Sequence, residues 1–143
     1  MMRHYTEEDT DALLEIWRKA NTLAHPFLEE AFVKQVAKDM RCIYLPNAET
    51  WVMEEEGRPI GFIALVKDEI GGLFLDPDFH GNGFGKALVD HALSLKGTLS
   101  VEVFEKNRIG RRFYERYGFI ETDRYLHDLS AEVTLKMRAA KQS

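Results

Sequence analysis

Three glycines at alternate positions form the part of this sequence whose chemistry is most specific. Gly81, Gly83 and Gly85 lie in the stretch FHGNGFGKAL, between the apolar run GGLFLDP and a segment with helical periodicity. A glycine-rich turn that enters a helix exposes backbone N–H groups at the positive end of that helix, where they can bind phosphates without a metal. The predicted phosphate-binding loop consists of His80, Gly81, Asn82, Gly83, Phe84, Gly85 and Lys86.

Two common nucleotide-binding motifs do not fit this loop. A Walker A loop needs glycine at position 80 and Ser or Thr at position 87, where this chain has His80 and Ala87. A dinucleotide fingerprint needs Gly-x-Gly-x-x-Gly within a βαβ unit. The spacing here is Gly-x-Gly-x-Gly, and no βαβ unit precedes it. The pyrophosphate of coenzyme A is the third candidate, and a second motif favours it.

The second motif lies in the segment EVFEKNRIGRRFYERYGF. Together the two segments resemble the GNAT family, the Gcn5-related N-acetyltransferases. The family's Gln/Arg-x-x-Gly-x-Gly/Ala turn corresponds to residues 80–85, with His80 where the family prefers Gln or Arg. Its Asn-x-x-Ala-x-x-Phe-Tyr-x-x-x-Gly-Phe helix corresponds to residues 107–119, with Gly110 in place of Ala. The matching residues of this helix are Asn107, Phe113, Tyr114, Gly118 and Phe119.

The resemblance implies acetyl-CoA as the cosubstrate and a site that needs no metal. In this family the glycine loop holds the CoA pyrophosphate. The backbone of the strand segment Leu73, Phe74 and Leu75 pairs with the pantetheine arm, which adds to the sheet as a strand would. Asn107 is the implied side-chain contact of the pantetheine arm.

Acetyl transfer to an amine requires two proton transfers. A lysine-like amine has a pKa of about 10.4, so a base must remove a proton before attack, and the departing thiolate must gain one. The resemblance implies Tyr114 as the acid and Glu102, five residues before Asn107, as the base. Alternatively, Tyr114 is a half-buried core residue, Glu102 is an exposed strand residue, and a water relay acts as the base.

His25 and Phe27, in the segment HPF after the first predicted helix, are candidate acceptor-binding residues, with a turn-and-core role as the alternative. The front half of the chain is similar to small bacterial members of the YiaC type, in which protein lysines are acceptors. The spacing of Glu102 is similar to that in ribosomal-protein acetyltransferases. These similarities imply a protein lysine or an N-terminal amine as the acceptor. Polyamines or aminoglycoside-like amines are the alternative acceptors, and a non-catalytic acyl-CoA-binding sensor is the alternative to an enzyme.

The elements that position these residues follow from hydrophobic periodicity. The predicted order is β-α-α-β-β-β-α-β-α-β-β, an α/β protein in which helices flank one mixed, mostly antiparallel sheet, as in the GNAT fold. Glu102 lies on the strand TLSVEVFE, and Asn107 is the predicted N-cap of the last helix. The buried stripe predicted for that helix consists of Ile109, Phe113 and Tyr117, with Tyr114 at its edge.

The composition predicts one soluble domain over residues 1–143, because 45% apolar and 30% charged residues are typical of globular proteins. No run reaches the roughly 18 apolar residues that span a membrane, and the start lacks the apolar core of a signal peptide. A net charge of −5 argues against broad nucleic-acid binding. Cys42 is the single cysteine, so no disulfide can form within the chain, as is usual in a reducing compartment. The five histidines lack the spacing of a metal site. We therefore expect a cytoplasmic protein without metal, membrane or nucleic-acid partners, and we make no prediction of its oligomeric state.

Overall fold

One mixed sheet runs through the part of the chain that the computed structural model describes, residues 1–127 and 130–141. Its strands are β1 (Met2–His4), β2 (Glu49–Glu55), β3 (Arg58–Val66), β4 (Glu69–Leu75), β5 (Thr98–Phe104), β6 (Ile120–Leu126) and β7 (Val133–Ala140). Their order across the sheet is β1-β2-β3-β4-β5-β7-β6. Neighbouring strands are antiparallel, except that β4 and β5 are parallel. This arrangement confirms the predicted fold class.

The four predicted helices occur in the predicted order, with two additions after the second one. They are α1 (Thr10–Ala24), α2 (Glu30–Asp39), the short α3 (Leu45–Asn47), α4 (Phe84–Lys96) and α5 (Arg108–Tyr117). The additions are a π-helical segment, Met40–Tyr44, which continues α2, and the short α3 that follows it. Met40 and Leu45 are buried in the same cluster as the apolar face of α1. Their burial explains why the chain stays coiled here instead of turning directly into β2.

The sheet has helices on both faces. On one face, Val52 and Phe62 pack with Leu13 and Trp17 of α1. On the other face, strand residues such as Ile63 and Leu99 pack with Leu88, Val89 and Ala92 of α4, and with Tyr114 of α5. Adjacent strand residues therefore point to opposite clusters, as the period of two in a strand requires.

The parallel strands β4 and β5 are paired over only a short distance. Their register consists of Glu69 opposite Ser100 and Ile70 opposite Val101. Beyond this point β4 continues to pair with β3, ending with Leu75 opposite Gly61. Along the same length β5 pairs with β7. The sheet therefore opens between β4 and β5, and within residues 1–127 and 130–141 the β5-facing edge of Leu73–Leu75 has no strand partner.

The burial of α5 differs from the predicted stripe. Tyr114 is only 7% exposed and belongs to the main core cluster, whereas Ile109 is 43% exposed. Phe113 and Tyr117 are half-buried. The predicted stripe was therefore wrong at Ile109, and the buried direction of the helix is rotated toward Tyr114. The reason is that the first turn of α5 lies at the rim of a cavity rather than over the sheet.

Candidate active site

A cavity of about 980 Å³ lies beside the opening between β4 and β5. The end of α1, the end of β4, the start of α4 and one side of α5 form its walls. Most residues with a predicted cofactor-binding role line it. These are Leu73, Phe74, Leu75, His80, Gly81, Gly83, Phe84, Gly85, Lys86 and Asn107. Tyr114 and His25 line the same cavity.

The glycine loop has the backbone conformation that its sequence predicts. Gly81 and Gly83 have φ angles of +81° and +83°, a region that other residues rarely adopt. Gly83 is the N-cap of α4 and leaves the first helical N–H groups without a side-chain cap. At Gly85, a Cβ atom would lie 3.1 Å from Cε1 of Phe113 and 3.3 Å from Cδ1 of Leu75. The first two glycines therefore form the turn, and the third lets α4 approach α5 and β4.

Two polar side chains of the loop contact the backbone of the segment just before it. The side chain of Asn82 lies 3.4 Å from the carbonyl oxygen of Phe79, and Asn82 does not line the cavity. Nε2 of His80 lies 3.3 Å from the carbonyl oxygen of Leu75. Lys86 forms an ion pair with Asp90 at 2.8 Å. This ammonium group lowers the pKa of Asp90 below its usual value. These three side chains are thus engaged within the protein, whereas the N-terminus of α4 has no side-chain cap.

Tyr114 combines burial with access to the cavity. Its ring packs against Phe113 and Phe119, with centroid distances of 5.2 and 5.1 Å. Burial raises the pKa of its hydroxyl well above the ordinary value, so the group stays protonated at neutral pH. The two roles considered for Tyr114 are compatible, because the ring belongs to the core while the residue also lines the cavity wall.

A chain of hydrogen bonds connects α1 to the start of α5. Oδ1 of Asn107 accepts from the backbone N–H of Gly110 at 2.9 Å, and its Nδ2 donates to Nε2 of His25 at 3.0 Å. Nδ1 of His25 therefore carries the proton and donates to Oδ1 of Asn21 at 2.7 Å. A Cβ atom at position 110 would lie 2.5 Å from Nδ2 of Asn107. Glycine at this position therefore permits the Asn107 conformation.

Glu102 lies on the opposite face of the sheet from Tyr114. Val101 and Val103 pack in the same cluster as Tyr114, so the side chain of Glu102 between them points away from the large cavity. Glu102 lines a second, smaller pocket of about 200 Å³ instead. The hydroxyl of Tyr125 donates a hydrogen bond to its carboxylate. The sequence places Glu102 on a strand and Tyr114 on the helix that follows it, but it does not show that the two side chains lie on opposite faces of the sheet.

The small pocket contains residues that the sequence did not point to. Glu69 lines it beside Glu102, and burial followed by repulsion from Glu102 raises the pKa of Glu69. His127 also lines it, with Nδ1 accepting from the N–H of Ser130 at 3.2 Å. Only the parallel register of β4 with β5 brings Glu69 near Glu102. No local sequence signal identifies that register.

Aromatic rings connect the two pockets. The ring of Phe104, which lines the small pocket, is 5.3 Å from the ring of His25 and 5.8 Å from the ring of Phe27. Phe27 lines neither pocket, and the ammonium of Lys106 lies 5.7 Å from its ring centroid. His25 and Phe27 thus lie between the two pockets, and the hydrogen bond of His25 with Asn107 is a contact that the sequence did not predict.

Over residues 1–127 and 130–141, no three His, Cys, Asp or Glu side chains are grouped as a metal site requires. Within the same residues, no helix has the length and apolarity needed to cross a bilayer.

The fold and the glycine loop agree with comparisons to known proteins. The family model of the acetyltransferase (GNAT) domain matches residues 46–121. The chain belongs to the GNAT family. It is an N-acetyltransferase that uses acetyl-CoA as its cosubstrate and an amine as its acceptor, which confirms the enzyme class and cosubstrate expected from the sequence.

Two curated relatives and one solved structure are similar over most of the chain. The peptidyl-lysine N-acetyltransferase YjaB of Salmonella typhimurium is 36% identical over 124 residues, covering 86% of this chain and 85% of that protein. YiaC of Escherichia coli, a peptidyl-lysine N-acetyltransferase, is 32% identical, covering 83% of this chain and 82% of that protein. The solution structure of apo YjaB from Escherichia coli superposes with a TM-score of 0.87 at 33% identity, covering 96% of this chain and 95% of that one.

Proposed function

We propose that this enzyme acetylates lysine side chains of proteins, with acetyl-CoA in the large cavity and the lysine entering from the small pocket. The observation that carries this proposal is the opening between β4 and β5, which has Tyr114 on one side and Glu102 on the other. A thioester placed in the opening would be reached by an acid from one face of the sheet and by an amine from the other.

The pantetheine arm fits the free edge of β4. The residues Leu73–Leu75 line the cavity, and in the described part of the chain their β5-facing backbone groups have no strand partner. A chain of amide groups can hydrogen-bond to such an edge as an added strand does. The glycine loop, at the end of the same strand, would then bind the pyrophosphate through the N–H groups at the start of α4.

Glu102 is the proposed acceptor of the amine proton. Its carboxylate lines the small pocket and is held by Tyr125, and Glu69 adds a second carboxyl group to the same pocket. A lysine ammonium would be attracted to this pair before it loses a proton, directly or through one water. Phe104 supplies an apolar wall for the methylene groups of the lysine stem.

Tyr114 is the proposed donor to the leaving group. The amine nitrogen attacks the thioester carbonyl carbon, a C–N bond forms and the C–S bond breaks. Glu102 takes the ammonium proton before attack and passes it to solvent, and the Tyr114 hydroxyl supplies the proton that the CoA thiolate gains. The second nitrogen proton, released through water after the C–N bond forms, restores the Tyr114 hydroxyl. A hydroxyl with a raised pKa remains available as a donor at neutral pH.

Protein lysine is the preferred acceptor because both curated relatives named above are peptidyl-lysine N-acetyltransferases. We also propose a cytoplasmic location, since acetyl-CoA and protein lysines meet there. The test is to incubate the enzyme with acetyl-CoA and three substrate sets, and to measure acetylation by mass spectrometry. The sets are peptides with internal lysines and blocked N-termini, peptides with free N-termini and no lysine, and small polyamines.

We expect the lysine peptides to be modified with the highest kcat/KM. The matched control is the same peptide with each lysine replaced by arginine, which keeps the positive charge but offers no comparable nucleophile. Preferential modification of N-termini or of polyamines would contradict the lysine assignment while leaving acetyl transfer itself intact.

A further inference from the structure

Three arginines of α5 line the large cavity without a carboxylate partner among the residues that the structure describes. Arg108, Arg112 and Arg116 follow one another at intervals of four residues, so they lie along one side of the helix. Within the described ranges, these three side chains form neither an ion pair nor a hydrogen bond with another side chain, whereas other arginines do. The paired arginines are Arg3, Arg18, Arg41, Arg111 and Arg124.

This arrangement is unfavourable without an anion. Like charges four residues apart on a helix repel each other. Arg108 also lies in the first turn of α5, where the helix dipole disfavours a cation. The whole chain has a net charge of −5, so the positive side of α5 contrasts with the average surface. An anionic ligand in the cavity would convert this repulsion into attraction.

The C-terminal half of α5 lies beside the glycine loop. The ring of Phe113 packs against Gly85, and the hydroxyl of Tyr117 donates to Asp90 of α4 at 2.6 Å. Arg112 and Arg116 are the sequence neighbours of these two residues and therefore lie at the end of the cavity where the loop is. Arg108 is at the other end of α5, next to Asn107.

We propose that Arg112 and Arg116 bind the 3′-phosphate of the CoA adenosine, while the glycine loop binds the pyrophosphate. This inference rests on the proposed placement of acetyl-CoA in the large cavity. The 3′-phosphate is a phosphomonoester and carries more negative charge than either phosphate group of the pyrophosphate. Two guanidinium groups can bind its oxygen atoms through paired N–H donors. Lys86 is less suited to this role because Asp90 holds its ammonium group.

The consequence is selectivity for the intact CoA nucleotide. An acyl carrier that has the pantetheine arm and pyrophosphate but lacks the 3′-phosphate would lose the contacts with Arg112 and Arg116. Binding of such a carrier would depend on the loop and on β4 alone. Because both side chains are exposed, the selectivity should weaken as the salt concentration rises.

Calorimetric titration with CoA and with 3′-dephospho-CoA tests the proposal on three folded proteins. These are the wild type, the double variant Arg112→Ala/Arg116→Ala and the control Arg18→Ala. Arg18 lies on α1, pairs with Glu15 and does not line the cavity, so its removal lowers the net charge without changing the cavity wall. We expect the wild type and the control to bind CoA about tenfold more tightly than 3′-dephospho-CoA. The double variant should bind both ligands with the lower affinity.

Each other outcome overturns the inference in a different way. Equal affinity of the wild type for the two ligands would show that no site for the 3′-phosphate exists. Selectivity that survives in the double variant would assign the phosphate to other residues. A double variant that loses affinity for both ligands equally would place the two arginines at the pyrophosphate. If the wild type bound neither ligand, the proposed cavity itself would be wrong.

Discussion

Nδ2 of Asn107 donates to Nε2 of His25 at 3.0 Å and so joins the N-terminus of α5 to the loop that follows α1. The contact requires an unprotonated Nε2. Burial lowers the pKa of His25 to about 4, so the imidazole is neutral at pH 7 and the bond is intact. Protonation of Nε2 would place two donors face to face and would also put a charge in a buried site.

This relationship predicts a pH-dependent loss of stability. His25 has a pKa near 6.5 in the unfolded chain and about 4 in the folded chain, so between these values the unfolded state binds more protons. The stabilisation that the neutral, buried His25 contributes to the folded state is complete above pH 6.5 and is lost as the pH falls to 4. We expect the free energy of unfolding of the wild type to fall by about 3 kcal/mol more than that of His25→Gln between pH 7 and pH 4. Urea unfolding at several pH values measures this difference.

The control for that experiment is His80→Gln, which removes an exposed histidine from the surface of the glycine loop. Its stability should follow the pH dependence of the wild type. Parallel curves for the wild type and His25→Gln would contradict the buried, neutral state of His25.

Removal of the Tyr114 hydroxyl should separate catalysis from folding. Tyr114→Phe keeps the ring that packs against Phe113 and Phe119, so stability and CoA affinity should change little. General acid help is worth about 10²–10⁴-fold, and we expect kcat to fall by tenfold or more. The matched variant Tyr44→Phe, at an exposed tyrosine outside both pockets, should keep full activity. A Tyr114→Phe enzyme with wild-type kcat would leave Tyr114 with a packing role only.

Two carboxyl groups in the small pocket make the identity of the base testable. We expect Glu102→Gln to lower kcat/KM most at low pH, where little neutral amine is present, and to leave CoA affinity unchanged. Glu69→Gln should have a smaller effect, because it removes attraction for the ammonium but not the proposed base. Glu105→Gln is the control, since Glu105 pairs with Arg124 and lies outside both pockets. If Glu69→Gln had the larger effect, the two roles would be reversed.

Two glycines at opposite ends of α4 provide a matched test of the phosphate loop. Gly83 and Gly97 have φ angles of +83° and +82°, and a Cβ atom at either position would meet nothing within 4 Å. Replacement by valine should therefore strain both positions and lower Tm by similar amounts. Only Gly83 lines the cavity, so only Gly83→Val should raise the Kd for CoA. Calorimetry on both folded variants decides the matter, and similar Kd values would remove the loop from the phosphate site.

Local sequence signals predicted the parts of the site that one element forms alone. The positive φ angles of Gly81 and Gly83 follow from a turn that enters a helix, and the capping role of Asn107 follows from its place before α5. The element order was also predictable, because each strand and helix has its own periodicity. These features depend on contacts between residues close in the sequence.

The parts that the sequence did not predict depend on contacts between distant elements. The separation of Glu102 from Tyr114 by a strand follows from which face of β5 the helix α5 covers. The closeness of Glu69 to Glu102 follows from the parallel register. The exposure of Ile109 follows from the cavity beside α5, and periodicity within the helix cannot detect a cavity. The catalytic roles of Glu102 and Tyr114 stay predictions.

The short pairing between β4 and β5 has a thermodynamic consequence. The strands β1 to β4 and the strands β5 to β7 meet through two register pairs, so the sheet is least continuous at this seam. A cosubstrate that pairs with Leu73–Leu75 would act as a missing strand, and its binding energy would add to the stability of the folded chain. At a ligand concentration of 100 times Kd this linkage is worth about 2.7 kcal/mol. Amide hydrogen exchange along β4 should therefore slow when CoA is bound, and each release of CoA would loosen the seam again.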